Sequence, residues 1–188
     1  MEELDSSKRL TKNIKIVDLA LKVKDTLVIA DVHIGYEEAL NKQGFMIPRF
    51  QFKDVMKRLE SILEEAKPST IVINGDLKHE FGRISDQEWR ETLRFLDLCA
   101  RYAKVILVRG NHDTVLGPIA DKRKVKVVDY HQISAPGEEI LVLHGDQLPR
   151  KMPDCNTIII GHEHPAVRLW EKQRYETYKC FLKGTFRK

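Results

Sequence analysis

Val105-Ile-Leu-Val-Arg-Gly-Asn-His-Asp113 joins a short apolar run to a dense polar cluster. The run is β-branched and brief, so it reads as a strand buried on both faces. Amide, imidazole and carboxylate side chains then follow almost without a spacer, a combination that ordinary turn chemistry does not require. The same arrangement recurs on either side. Leu27-Val-Ile-Ala30 leads into Asp31-Val-His33, Ile71-Val-Ile-Asn74 into Gly75-Asp76, Ile140-Leu-Val-Leu143 into His144-Gly-Asp146, and Ile158-Ile-Ile160 into Gly161-His-Glu-His164. In open α/β sheets the ligand site lies beyond the carboxyl ends of the strands, so the five clusters are expected to meet at one edge.

Five of the seven histidines lie in these clusters, and no cysteine does. Carboxylate, amide and imidazole without thiolate form the ligand set of a two-metal hydrolase. Asp31 and His33 are two residues apart and would share a face of a regular strand, or chelate one ion at its end. Asp76 adds a carboxylate able to bridge two ions, with Gly75 allowing a sharp turn before it. His162 and His164 repeat the two-residue spacing. His79, three residues after Asp76, is expected to face substrate because its loop opens at the same edge. Lys78 and Arg83 could bind the substrate phosphate or leaving group, with solvated loop charges as the default expectation. His131 is expected to be structural or at the surface, and Asp146 a turn residue or a group supporting a ligand rather than a ligand itself. Glu37 is expected to neutralise a nearby cation or cap the helix beginning beside it.

A chain of 188 residues suits one domain, taken as residues 1–188. Lys and Arg number 32 against 28 Asp and Glu, a net charge of +4. This mildly basic balance tolerates an anionic substrate without singling out nucleic acid. The polar start MEELDSSKRLTKN lacks the apolar core of a signal peptide, and no run approaches the ~20 apolar residues of a membrane span. No membrane role and a cytoplasmic location are therefore expected. Cys99, Cys155 and Cys180 are far apart with no C-x-x-C spacing, which indicates neither a disulfide framework nor a zinc ribbon.

Further strands are expected at Ile14–Val17, Leu19–Val23 and Val125–Val128. Phe52, Val55, Leu59, Ile62 and Ala66 recur at spacings of three and four, which predicts a helix over Phe52–Ala66. Ser85-Asp-Gln-Glu88 is a capping-box pattern opening a second helix with its own stripe of Trp89, Leu93, Leu96 and Ala100. Strand and helix in alternation imply right-handed crossovers and a largely parallel first sheet. From Val125 to Ile160 the pattern turns strand-rich, which predicts a second layer. Val167–Trp170 and Tyr175–Leu182 read as a terminal hairpin.

The ordered set D-x-H, G-D, G-N-H-D, H-G-D and G-H-x-H resembles the calcineurin-like metallophosphoesterases, from Leu27 to Pro165. Asp31-Val-His-Ile-Gly-Tyr-Glu37, Gly75-Asp-Leu-Lys-His79 and Gly161-His-Glu-His-Pro165 look most like the ICC-like, DNA-ligase-associated phosphoesterases within them. The resemblance implies a four-layer α/β/β/α sandwich. It implies a first ion held by Asp31, His33, Asp76 and His164, and a second by Asp76, Asn111, His144 and His162. It further implies a metal-bridging hydroxide as nucleophile in an in-line displacement. Such a centre keeps residual positive charge for a phosphate oxyanion. His112 would stand near the leaving group as a general acid. Asp113 would either hold the His112 tautomer or cap a helix. Asn111, His112 and His79 would meet substrate. Oxygen and nitrogen ligands with a neutral Asn suit Mn²⁺, with Fe, Zn, Ni or Mg as alternatives.

These features imply a phosphodiesterase acting on nucleotides, or on single-stranded or end nucleic acid. The competing expectations are a phosphomonoesterase with the same centre and a non-catalytic binding module on the same fold. A module would be free to lose His112 and the ligands, and this chain keeps them. Members of the family continue past G-H-x-H with strands that close the second sheet, whereas 24 residues follow His164 here, so either a natural minimal form or a shortened end is expected.

Overall fold

The computed structural model describes residues 8–48 and 50–186; positions 1–7, 49, 187 and 188 of the expected 1–188 domain lie outside the described residues. The chain runs β1 (Ile14–Val17), β2 (Ala20–Val23), β3 (Thr26–Ile29), α1 (Tyr36–Lys42), α2 (Gln51–Ala66), β4 (Thr70–Asn74), α3 (Asp86–Tyr102), β5 (Lys104–Val108), α4 (Gly117–Arg123) and β6 (Lys126–Val128). It continues with β7 (His131–Ala135), β8 (Glu138–Val142), β9 (Thr157–Ile159), β10 (Ala166–Glu171) and β11 (Arg174–Lys179). The first sheet takes its strands in chain order, β1 to β6, antiparallel through β3 and parallel from β3 onward. The second holds β7, β8 and β9, and β10 pairs only with β11.

Strand alternation divides the first sheet's apolar residues between two cores. Leu27, Ile29, Ile71, Ile73, Val105 and Leu107 pack against Leu59, Ile62 and Leu63 of α2 and Phe95, Leu96 and Cys99 of α3. Val28, Val72, Ile106 and Val108 face the other way, onto Ile133, Ile140, Val142 and Ile159 of the second sheet. Successive residues pointing to opposite faces is the period of a strand, and covering both faces is why these runs lack polar residues. The layers are therefore helix, sheet, sheet. Helices α2 and α3 cover one face of the first sheet and the second sheet covers the other, the mixed α/β arrangement of the expected metallophosphoesterase sandwich. Among the described residues no helix follows Arg123.

α3 starts where expected: the Ser85 side chain accepts from the Glu88 amide at 3.1 Å, completing the capping box. α2 is capped from a distance. Its N-cap is Phe50, whose apolar side chain makes no capping bond, and Glu37 of α1 accepts from the Phe50 and Gln51 amides at 3.2 and 2.9 Å. Glu37 thus caps a helix, though not the one beginning beside it. Such a carboxylate satisfies otherwise unpaired N–H groups and complements the positive end of the helix dipole. Among the described residues no helix is long and apolar enough to cross a membrane.

Candidate metal centre

The five polar clusters gather at the carboxyl edge, but not by the regular-strand geometry their spacing suggests. Asp31 and His33 lie beyond the end of β3, and both take left-handed backbone, with φ of 52° and 50°. His162 and His164 repeat this beyond β9 with 66° and 44°, and Asp76 does so after β4 with 49°. Non-glycine residues rarely adopt this region, and it persists where neighbours over-determine it. Here cross-loop hydrogen bonds do so: Asp31, His33 and Ile34 donate to the carbonyls of Gly75, Asp76 and Leu77 at 3.2, 3.0 and 2.9 Å. The Asp31 carboxylate accepts from the His162 amide at 3.0 and 3.1 Å. Gly75 is required twice over, by its φ of 79° and because a Cβ there would collide with the His144 ring.

Among the described residues three donor groups result: His33, His79 and His112 form one, and two further groups overlap at Asp76. Asp31, His33, Asp76 and His164 offer atoms all within 4.8 Å of one another, and so do Asp76, His144 and His162. Asp76 belongs to both. Asn111 joins the second group, its Oδ1 2.9 Å from His144 Nε2. The chemistry of these atoms fits cations. His144 Nδ1 lies 3.2 Å from the Asn74 carbonyl, which can only accept, so the proton sits on Nδ1 and the Nε2 lone pair points inward. That lone pair meets Asn111 Oδ1 and, at 3.3 Å, Asp76 Oδ2. His33 Nε2 likewise faces His164 Nε2 at 3.2 Å, with carboxylate oxygens of Asp76 and Asp31 at 3.8 and 3.7 Å from the two rings. Acceptors converging on one point repel unless a proton or a cation stands between them.

Electrostatics prepare that state at Asp76 and His33. At His144 burial acts downward but the Asp76 carboxylate outweighs it and raises the imidazole, so a proton or a cation at Nε2 is what joins these two groups. Burial opposes ionisation of Asp76, but the His144 side chain and the His112 amide outweigh it and hold the carboxyl down at about 2. Burial pushes His33 down to about 4 despite the pull of Asp76. Both groups are thus held in the ligand form, anionic carboxylate and neutral imidazole.

His112 sits beside the centre, its Nε2 3.8 Å from Asp76 Oδ2 and its Nδ1 hydrogen-bonded to the His79 carbonyl. That carbonyl takes the orienting part expected of Asp113. Asp113 is buried and turned elsewhere, its carboxylate accepting from the Leu77 and Gly110 amides at 3.1 Å each. It caps no helix either, since α4 has Leu116 as its N-cap. It ties the loop after β4 to the loop after β5, because two unpaired amides there have no strand to bond to. Burial raises its carboxyl to about 6.

His79 reaches the site as its loop position suggested, with Nδ1 3.4 Å from His33 Nδ1. Lys78 departs from expectation, being fully buried rather than solvated, with its ammonium on the Glu80 carbonyl. Glu88 was visible only as a capping-box residue. Its buried carboxylate also accepts from the His79 and Glu80 amides at 2.9 and 3.0 Å, so one side chain starts α3 and holds the loop that carries His79. Phe81 was missed altogether. Its ring packs on His112 at 3.7 Å between centroids, a contact across loops for which local sequence carries no signal.

Among solved structures, the nuclease MPE of Pseudomonas putida superposes with a TM-score of 0.57 at 24% identity, covering 81% of this chain and 70% of that one. Yfce, a phosphoesterase from E. coli, matches with a TM-score of 0.45 at 16% identity over 74% and 69%. AQ665 of Aquifex aeolicus, a protein of unknown function, matches with 0.46 at 22% over 79% and 81%. No curated protein matches the chain. The nuclease shows that the fold is shared. The family model for calcineurin-like phosphoesterases spans residues 25–179, which takes in every cluster at the carboxyl edge, and the chain belongs to that metal-dependent family.

Proposed function

We propose that the chain is a dinuclear metal-dependent phosphodiesterase acting on nucleotides, or on single-stranded or end nucleic acid. The observation that carries this reading is the pair of donor groups sharing Asp76. Two divalent ions bound there, Mn²⁺ foremost, would supply an activated water and neutralise phosphate charge. Asp31, His33, Asp76 and His164 would hold one, and Asp76, Asn111, His144 and His162 the other.

The chain's own residues do the rest. His112 carries its Nδ1 proton to the His79 carbonyl, which leaves Nε2 facing the centre. A second proton on Nε2 can then pass to the departing alkoxide. His79, stacked on the His112 ring, and Asn111, beside His144, would orient the phosphate. A cytoplasmic location and affinity with the ICC-like, DNA-ligase-associated subgroup are part of the same proposal.

The test is a hydrolysis panel of bis-p-nitrophenyl phosphate, p-nitrophenyl phosphate, cyclic nucleotides and short oligonucleotides, with Mn²⁺, Fe, Zn, Ni and Mg in turn. Metal-dependent turnover of diesters above the monoester is expected. A preference for the monoester would replace the reading with a phosphomonoesterase, and no turnover under any metal would leave a binding module.

A further inference from the structure

Between α1 and the loop after β4 lies an open cavity of about 360 Å³, lined by Lys42, Gln43, His79, Phe81 and His112 among others. None of the expected metal ligands lines it. Its volume lies within the ~300–1,000 Å³ of small-ligand sites. His112 joins it to the metal centre, so whatever leaves a phosphate beside His112 enters this space.

Its walls select by shape and charge. Phe81 lies against the His112 ring yet is 61% exposed, so one side of the phenyl is backed and the other is open. Behind them His79 stacks on His112 at 5.6 Å and Tyr36 meets His79 at 4.8 Å, which makes Phe81 the outermost of a continuous row of rings. The one lysine in the wall is already paired: Lys42 Nζ lies 2.9 Å from Glu80 Oε1 and 3.7 Å from Glu38 Oε1. A cation so offset has little attraction left for a second phosphate. An aromatic platform backed on one side, beside a lysine already offset by two carboxylates, suits a flat uncharged group.

We propose that this cavity is the leaving-group subsite, taking the base and sugar of a nucleoside with the base stacked on the open face of Phe81. The assignment rests on the phosphodiesterase reading through His112. Base–aromatic stacking of this kind tolerates any base, so the subsite would select for a nucleoside and not for sequence.

The experiment uses dithymidine phosphate and the same dinucleotide with the base removed from one end or the other. With the wild-type chain, loss of the base at one end should raise KM about 10-fold. In Phe81→Ala the intact dinucleotide should show that raised KM, with no further rise when the same base is removed, and Phe81→Trp should restore the wild-type value. A rise of equal size on intact and base-free substrates, or no rise at all, would overturn the subsite. Binding is read separately in metal-free chain, with 2-aminopurine at either end of the dinucleotide. The wild type should quench it at one end and Phe81→Ala should not; no quenching by the wild type overturns the subsite. If quenching behaves as expected while the wild type hydrolyses no dinucleotide with any metal, the subsite stands and the phosphodiesterase reading falls.

Discussion

The metal edge and the β10–β11 hairpin sit side by side in sequence and differ in almost every physical respect. At the edge, five of the seven expected ligands occupy left-handed backbone, no strand continues, and charged or polar groups such as Asp76, His144 and Asp113 are buried. The hairpin is regular, in register from Ala166↔Lys179 to Glu171↔Arg174. Yet all twelve of its strand residues are exposed, Trp170 by 64% among them. Regularity and importance are therefore separated. Irregular backbone is held in place by cross-loop bonds where chemistry is expected, whereas a two-stranded ribbon without a covering layer is marginal by itself in water.

The contrast can be broken most severely at Asp76. Asp76→Ala removes the one side chain common to both donor groups, so turnover should vanish and bound metal, measured by elemental analysis, should fall below two per chain. Retention of two ions would end the assignment of Asp76 as the ligand shared by both. His112→Ala should spare metal stoichiometry and lower turnover by roughly 10²–10⁴-fold. The deficit should be larger for a nucleoside ester than for a p-nitrophenyl ester, whose phenolate departs unaided. Equal deficits would make His112 a phosphate-positioning group.

Gly75→Ala probes the strained backbone directly. A left-handed non-glycine residue costs ~1–3 kcal/mol, and the added Cβ also displaces His144. Denaturant unfolding should show a loss of at least that size, together with weaker metal binding. The smallest effect is expected at the hairpin. Trp170→Ser should change stability by no more than about 0.5 kcal/mol, as exposed substitutions do, and leave metal binding untouched. A loss several times larger would show that the hairpin is covered in solution.

The strands were readable because burial on two faces leaves an uninterrupted apolar run, as at Ile71–Ile73 and Val105–Val108. β7 escaped, since in His131-Gln-Ile-Ser-Ala135 only Ile133 and Ala135 turn inward and are buried. α1 and α4 were legible only as helices that Glu37 and Asp113 could cap, without bounds, because seven residues hold too few turns to display a period. The residues of the site were legible from their types and order, as ligands must be particular atoms at strand ends. Their backbone was not, because left-handed φ at Asp31 or His164 is imposed by bonds to distant loops. Asp113 was misread for the same reason: its partners, Leu77 and Gly110, are defined only once two loops meet.

One arrangement at the edge reaches beyond the site itself. Asp31, His33, Asp76 and Asn111 follow strands of the first sheet, whereas His144, His162 and His164 follow β8 and β9 of the second. Anything held by both sets stitches the two sheets together at the end of their shared core. Occupancy then becomes a mechanical property of the domain: a ligand present at 100 times its dissociation constant adds about 2.7 kcal/mol against unfolding. The same fastening would resist the parting of the sheets, so starvation for metal would loosen the seam of the molecule before it touched either half.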